Sequence, residues 1–140
     1  MLQIAVVDGQ GGGIGRTLVE KLRAALGDRV RILALGTNAL ATSAMLRAGA
    51  DEGATGENAI VYNAPRVQLI AGSIGIIAAD AMLGELTPRM ARAVAASPAE
   101  KILIPVNRCG LYVAGGAQLN LAVCLDDAVS MVCARLGVPG

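Results

Sequence analysis

The stretch Asp8-Gly9-Gln10-Gly11-Gly12-Gly13-Ile14-Gly15 has the composition of a phosphate cradle, with glycine at five of the seven positions from 9 to 15. A glycine-rich turn between a strand and a helix aims backbone N–H groups at a bound anion, and the helix macrodipole adds positive charge at the same end. Glycine suits such a turn because a Cβ would hold the ligand away or block positive φ. The competing account is a turn whose glycines only let strand and helix pack closely, although packing alone rarely needs so many.

Spacing narrows the chemistry. The dinucleotide pattern G-x-G-x-x-G fails, because Gly9 and Gly11 would require glycine at position 14, which is Ile14. A Walker A loop is excluded, since no Gly-Lys-Ser/Thr follows. Gly9-x-x-x-Gly13-Ile14-Gly15 does resemble the turn of the short-chain dehydrogenase/reductase family, which implies NAD(P) or another nucleotide as ligand. That family's Tyr-x-x-x-Lys is missing, because neither Tyr62 nor Tyr112 has lysine four residues on. The resemblance therefore ends at the turn and does not carry reductase chemistry.

In open parallel sheets the ligand sits outside the carboxyl ends of the strands. The strand ends expected here are Asp8, Thr37 with Asn38, Ser73, and Asn107 with Arg108 and Cys109. Any one of them could simply cap a helix, but as a set they should face one rim. Asp8 has three possible roles: holding the turn's N–H groups, binding a ribose hydroxyl, or coordinating Mg²⁺ beside a bound nucleotide. Arg108 is either a bidentate partner for phosphate or a surface arginine. Cys109 stands next to that cation, which would lower its thiol pKa, and is either a nucleophile or an ordinary loop cysteine. Glu57-Asn58 is a polar loop or a lid, and Asp80 is either buried with a partner or in water. The second strand ends in Gly36-Thr37-Asn38, without the Asp or Glu that usually holds the ribose in dinucleotide folds, which counts against standard NAD binding.

Composition excludes several classes. With 140 residues and a net charge of +1, no basic face for nucleic acid is expected. Phe and Trp are absent, so base-stacking platforms can hardly be built. Histidine is absent too, which removes the commonest general base and metal ligand; no protein-only metal site is expected. Cys109, Cys124 and Cys133 form no C-x-x-C pair, and the last two fit a helical pattern as small core residues. Hydrophobic residues make up 54% of the chain, so we considered a membrane span. The run from Leu69 to Leu86 is broken by Ser73, Asp80 and Glu85, short of the about 20 apolar residues a span needs. The chain enters its first strand without a charged leader. A cytoplasmic homo-oligomer that covers surplus apolar surface is expected.

The elements that must position these residues follow from periodicity. Leu2–Val7 and Val30–Leu35 read as buried parallel strands, as do Val67–Ala71 and Lys101–Val106, whose proline suggests an edge or an early end. Leu18, Leu22 and Leu26 recur at helical spacing after the first turn. Ala39–Ala48 reads as a helix stopped by Gly49, and a helix from Pro88 to about Ser97 has Thr87 as its cap. Residues 51–58 read as a loop, with a short helix favoured over a strand at 59–62. A helical stretch is expected after Ser73, reaching about Leu83. Leu111–Ala114 is a weak strand candidate, and a last helix runs over about Leu119–Leu136. The alternation predicts one α/β domain over 1–140, a Rossmann-like three-layer sandwich with a mostly parallel sheet of four to six strands.

A wider resemblance rests on four segments: Asp8–Gly15, Ala34–Met45, Gly49–Ala59 and Ile104–Cys109. Together they resemble the bacterial family named domain of unknown function 3842, which has no assigned activity. The reading that follows is a nucleotide or other phosphorylated small molecule held at the first turn, in a sensor or accessory protein. A small NAD(P)-dependent oxidoreductase or phosphate-transferring enzyme stands as one alternative, and a structural oligomer or partner-binding module as another.

Overall fold

The computed structural model describes residues 1–106, 110–115 and 120–138. Its apolar runs become the centre of a five-stranded sheet: β1 (Leu2–Asp8), β2 (Val30–Gly36) and β4 (Leu69–Ser73), with β3 (Glu52–Thr55) and β5 (Glu100–Ile104) at the edges. Every pairing is parallel and the order is β3-β2-β1-β4-β5. Parallel neighbours require crossovers, which α1 (Gly13–Leu26), α2 (Ala39–Ala48), α3 (Glu57–Asn63) and α4 (Pro88–Ala96) supply, and α5 (Leu121–Arg135) follows β5.

Alternation along β1 sends Ile4 and Val6 to one face and Ala5 and Val7 to the other. The first face packs on Leu18, Leu22 and Leu26 of α1, Met45 of α2, and Leu125 and Val132 of α5. Cys124 and Cys133 are buried there as small core residues. The second face packs on Ile60 of α3 and on Met90 and Val94 of α4. The expected three-layer α/β sandwich is thus present, with five strands and no antiparallel pair among the described residues. Among the described residues no helix is long and apolar enough to cross a membrane.

Three expectations are corrected. Residues 52–55 are not loop but the edge strand β3, paired along β2 from Leu33↔Glu52 to Gly36↔Thr55. Leu111–Ala114 forms no strand. The helix expected after Ser73 is a single 3₁₀ turn, Ile74–Ile77, followed by irregular chain to Thr87. That segment buries Ile76, Ala81 and Leu86 from successive turns rather than from one helical stripe. By contrast, 57–63 is helical as favoured, and β5 lies at the edge, ending just before its proline.

Candidate functional site

The sheet order reverses beside β1: the chain moves outward through β2 and β3, then returns to place β4 on the other side of β1. Ligands of such sheets bind at this reversal, outside the carboxyl ends. The glycine-rich turn leaves β1 at that point. Gly12 adopts the left-handed conformation (φ 75°) and donates to Gly9 O at 2.9 Å. Asp8, only 6% exposed, accepts from Gly9 N–H at 2.8 Å and from Gly15 N–H at 2.6 Å. Among the described residues, Asp8 thus acts as a clasp on the turn's own N–H groups.

The glycines now separate into two groups. A methyl group at residue 9 would lie 2.5 Å from Thr37 Oγ1, one at residue 12 would lie 2.9 Å from Ala41 Cα, and one at residue 15 would lie 2.7 Å from Met45 Sδ. Those three are demanded by close packing. Gly11 and Gly13 have no positive φ, and among the described residues no atom lies within 4 Å of such a methyl. The N–H groups of Gly11, Gly13 and Ile14 also make no hydrogen bond among the described residues, as expected of donors around a helix start.

These residues line a cleft of about 610 Å³. Its wall continues through Ser73 and Gly75 to Val106 and Leu121, with Met82 and Leu83 above. Ser73 is 6% exposed, and its hydroxyl makes no hydrogen bond among the described residues. No buried side-chain oxygen or nitrogen among the described residues lacks a partner, so the unpaired Ser73 hydroxyl opens onto the cleft, where it is a place for a ligand atom.

Thr37 and Asn38 reach the same rim without lining the cleft, because Glu85 stands over them. Its Oε1 accepts from Thr37 Oγ1 at 2.7 Å, from Gln10 N–H at 2.8 Å and from Asn38 Nδ2 at 2.9 Å. Asn38 also caps α2, accepting from Ala41 N–H at 2.9 Å. The Gln10 N–H, helped by Thr37 and Asn38 against partial burial, holds the Glu85 carboxyl below the ordinary glutamate value of 4.5. The Ile32 N–H, outweighing partial burial and helped by Arg23, likewise holds Asp51 below 3.8. A lowered folded-state pKa stabilises the fold above the unfolded value, and that contribution is lost as the pH falls through the folded one. The urea midpoint should therefore drop between about pH 5 and pH 3, and Glu85→Gln should drop less than the wild type because the amide cannot titrate. Equal drops would mean that the Glu85 contact is not formed in solution.

Sequence reasoning missed Glu85, which looked only like a break in an apolar run. Its partners lie 75, 48 and 47 residues away, so no local signal marks it. Asn107, Arg108 and Cys109 lie outside the described residues. Glu57 lies on α3, where it receives Thr87 Oγ1 at 2.6 Å and Arg89 at 3.1 Å, tying α3 to α4 rather than covering the cleft. Asp80 is exposed to water. Among the described residues no group of three or more His, Cys, Asp or Glu could hold a metal ion.

No curated protein matches the sequence. Among solved structures, the chain resembles the crystal structure of a dodecameric FMN-dependent Ubix-like decarboxylase from Escherichia coli O157:H7. The TM-score is 0.53 at 14% identity, over 96% of this chain and 95% of that one, a likeness of fold. A family model described as Domain of unknown function (DUF3842) matches residues 3–137, nearly the whole length, and the chain belongs to that family.

Proposed function

We propose that the chain binds a phosphorylated small molecule of nucleotide type at the turn between β1 and α1, as a sensor or accessory protein. The observation that carries this reading is the pair Gly11 and Gly13. Neither glycine is needed for φ or for packing, and both line the cleft beside unpaired N–H donors at the positive end of a 14-residue helix. The free Ser73 hydroxyl supplies a further donor across the cleft. The fold shared with an FMN-dependent enzyme supports trying flavin mononucleotide first. Exposed Leu83 and Tyr112, with the dodecameric assembly of that structurally similar protein, support self-association as part of the same reading.

Mass spectrometry of small molecules released on denaturation, followed by calorimetry with the compounds found and with flavin mononucleotide and AMP, tests this. A phosphorylated compound is expected in the released fraction. Ser73→Ala should weaken its binding by about 0.5–1.5 kcal/mol, the value of one neutral hydrogen bond. Absence of binding to any phosphorylated compound would overturn the reading.

A further inference from the structure

In dinucleotide-binding sheets one half of the ligand crosses the end of β2, where an acidic residue takes the ribose hydroxyls. Here that place is filled from within the chain. Glu85 Oε1 takes the Gln10 N–H, the Thr37 hydroxyl and the Asn38 amide, three donors that would otherwise be offered to a ligand on the β2 side. Met82 closes the same gap: a methyl group on Gly9 would lie 2.6 Å from its sulfur.

The segment that carries these side chains is set in an unusual backbone. Asp80 (φ 64°), Met82 (φ 61°) and Leu83 (φ 58°) are non-glycine residues in the left-handed region, and Gly84 follows at 89°. L residues rarely adopt that conformation, and clusters of such residues occur where tertiary contacts over-determine the chain, often around ligands. Those contacts are visible: Asp80 N–H donates to Leu86 O at 2.8 Å, and Ala81 and Leu86 are buried. The cleft that remains runs the other way, from the turn past Ser73 to Val106 and Leu121, and beyond Ser73 its described side chains, Met82, Leu83, Val106 and Leu121, are apolar.

We propose that the site takes a phosphomonoester carrying a single apolar or flat ring body on the β4 side, and that Glu85 shuts out dinucleotides. The proposal rests on the phosphate-site reading above, for which the Ser73 side chain, 6% exposed and with its unpaired hydroxyl opening onto the cleft, is evidence independent of the helix start. Two effects act against a dinucleotide. Its second nucleoside finds Gln10, Thr37 and Asn38 already bonded, and any phosphate on that side faces the Glu85 carboxylate at the cost of like-charge repulsion.

The test is calorimetric titration of the intact protein with flavin mononucleotide, NAD⁺ and inorganic phosphate. The wild type should bind flavin mononucleotide at least about tenfold more tightly than NAD⁺, and Glu85→Ala should tighten NAD⁺ by about fivefold or more while moving flavin mononucleotide by less than about twofold. Equal wild-type affinities for the two overturn the proposal, and that comparison does not depend on the variant's folding. So does a Glu85→Ala protein with a native circular-dichroism spectrum and no gain for NAD⁺. Binding of phosphate and NAD⁺ without preference for flavin mononucleotide would sink this proposal and leave the phosphate site standing. Binding of none of the three would sink both.

Discussion

Gly13→Val is expected to abolish binding of phosphorylated ligands while leaving the fold intact. Residue 13 is the first residue of α1, its φ is not positive, and a Cβ there meets no atom of the described residues within 4 Å. Valine is therefore tolerated by the protein, and the change in stability should stay within about 0.5 kcal/mol, as for surface positions. The same empty space is the cleft. A branched side chain in it would hold a phosphate away from the N–H groups of Gly11, Gly13 and Ile14, and each bond to a charged group contributes about 1.5–3 kcal/mol. Loss of even one such bond means an affinity drop of more than about tenfold, and displacement from all three should leave none measurable. Calorimetry paired with thermal denaturation reads both quantities. Unchanged affinity in a folded Gly13→Val protein would remove the turn from the binding site.

The parallel change at Gly15 should behave in the opposite way. A Cβ there would lie 2.7 Å from Met45 Sδ and 2.9 Å from Asp8 Oδ2, so the damage falls on the packing of α1 against α2. Two glycines two residues apart thus report on two different properties. The sequence shows that the turn is rich in glycine, but which glycine serves packing and which serves a ligand depends on what lies opposite each one.

Legibility followed the range of the interactions. β1, β2 and β4 were readable because each is buried on both faces and so is apolar throughout, and the first turn was readable because strand, glycines and helix are contiguous. β3 was not, because Glu52-Gly53-Ala54-Thr55 is an edge segment held through its backbone to β2 and carries no apolar alternation. The chain from Ile74 to Leu86 misled because its apolar residues look like a buried helix. In the fold they are inserted from a 3₁₀ turn and from left-handed residues, and nothing in a side chain such as Leu83 announces a φ of 58°. Glu85 shows the limit most clearly. The carboxylate that seemed to be missing from the end of β2 is present there, delivered by a loop on the far side of β1.

Asp8→Ala should destabilise the fold by about 2–5 kcal/mol, the largest loss expected from any polar side chain at this rim. The carboxylate is 6% exposed, and its two oxygens accept from Gly9 N–H and Gly15 N–H, at 2.8 and 2.6 Å. Alanine removes both acceptors, and each buried donor left unpaired costs about 1–3 kcal/mol. In a chain of this size that corresponds to a fall in melting temperature on the order of 10 °C. Asp8→Asn should lose less, because its amide keeps one oxygen for one of the two donors while its NH₂ opposes the other. The ordering wild type, Asn, Ala in chemical-denaturation midpoint is therefore the signature of a clasp. A purely electrostatic carboxylate, such as one placed to hold a cation, would instead make Asn and Ala equivalent. If both variants were as stable as the wild type, the clasp would be wrong, and the Gly9 and Gly15 N–H groups would become free for a ligand.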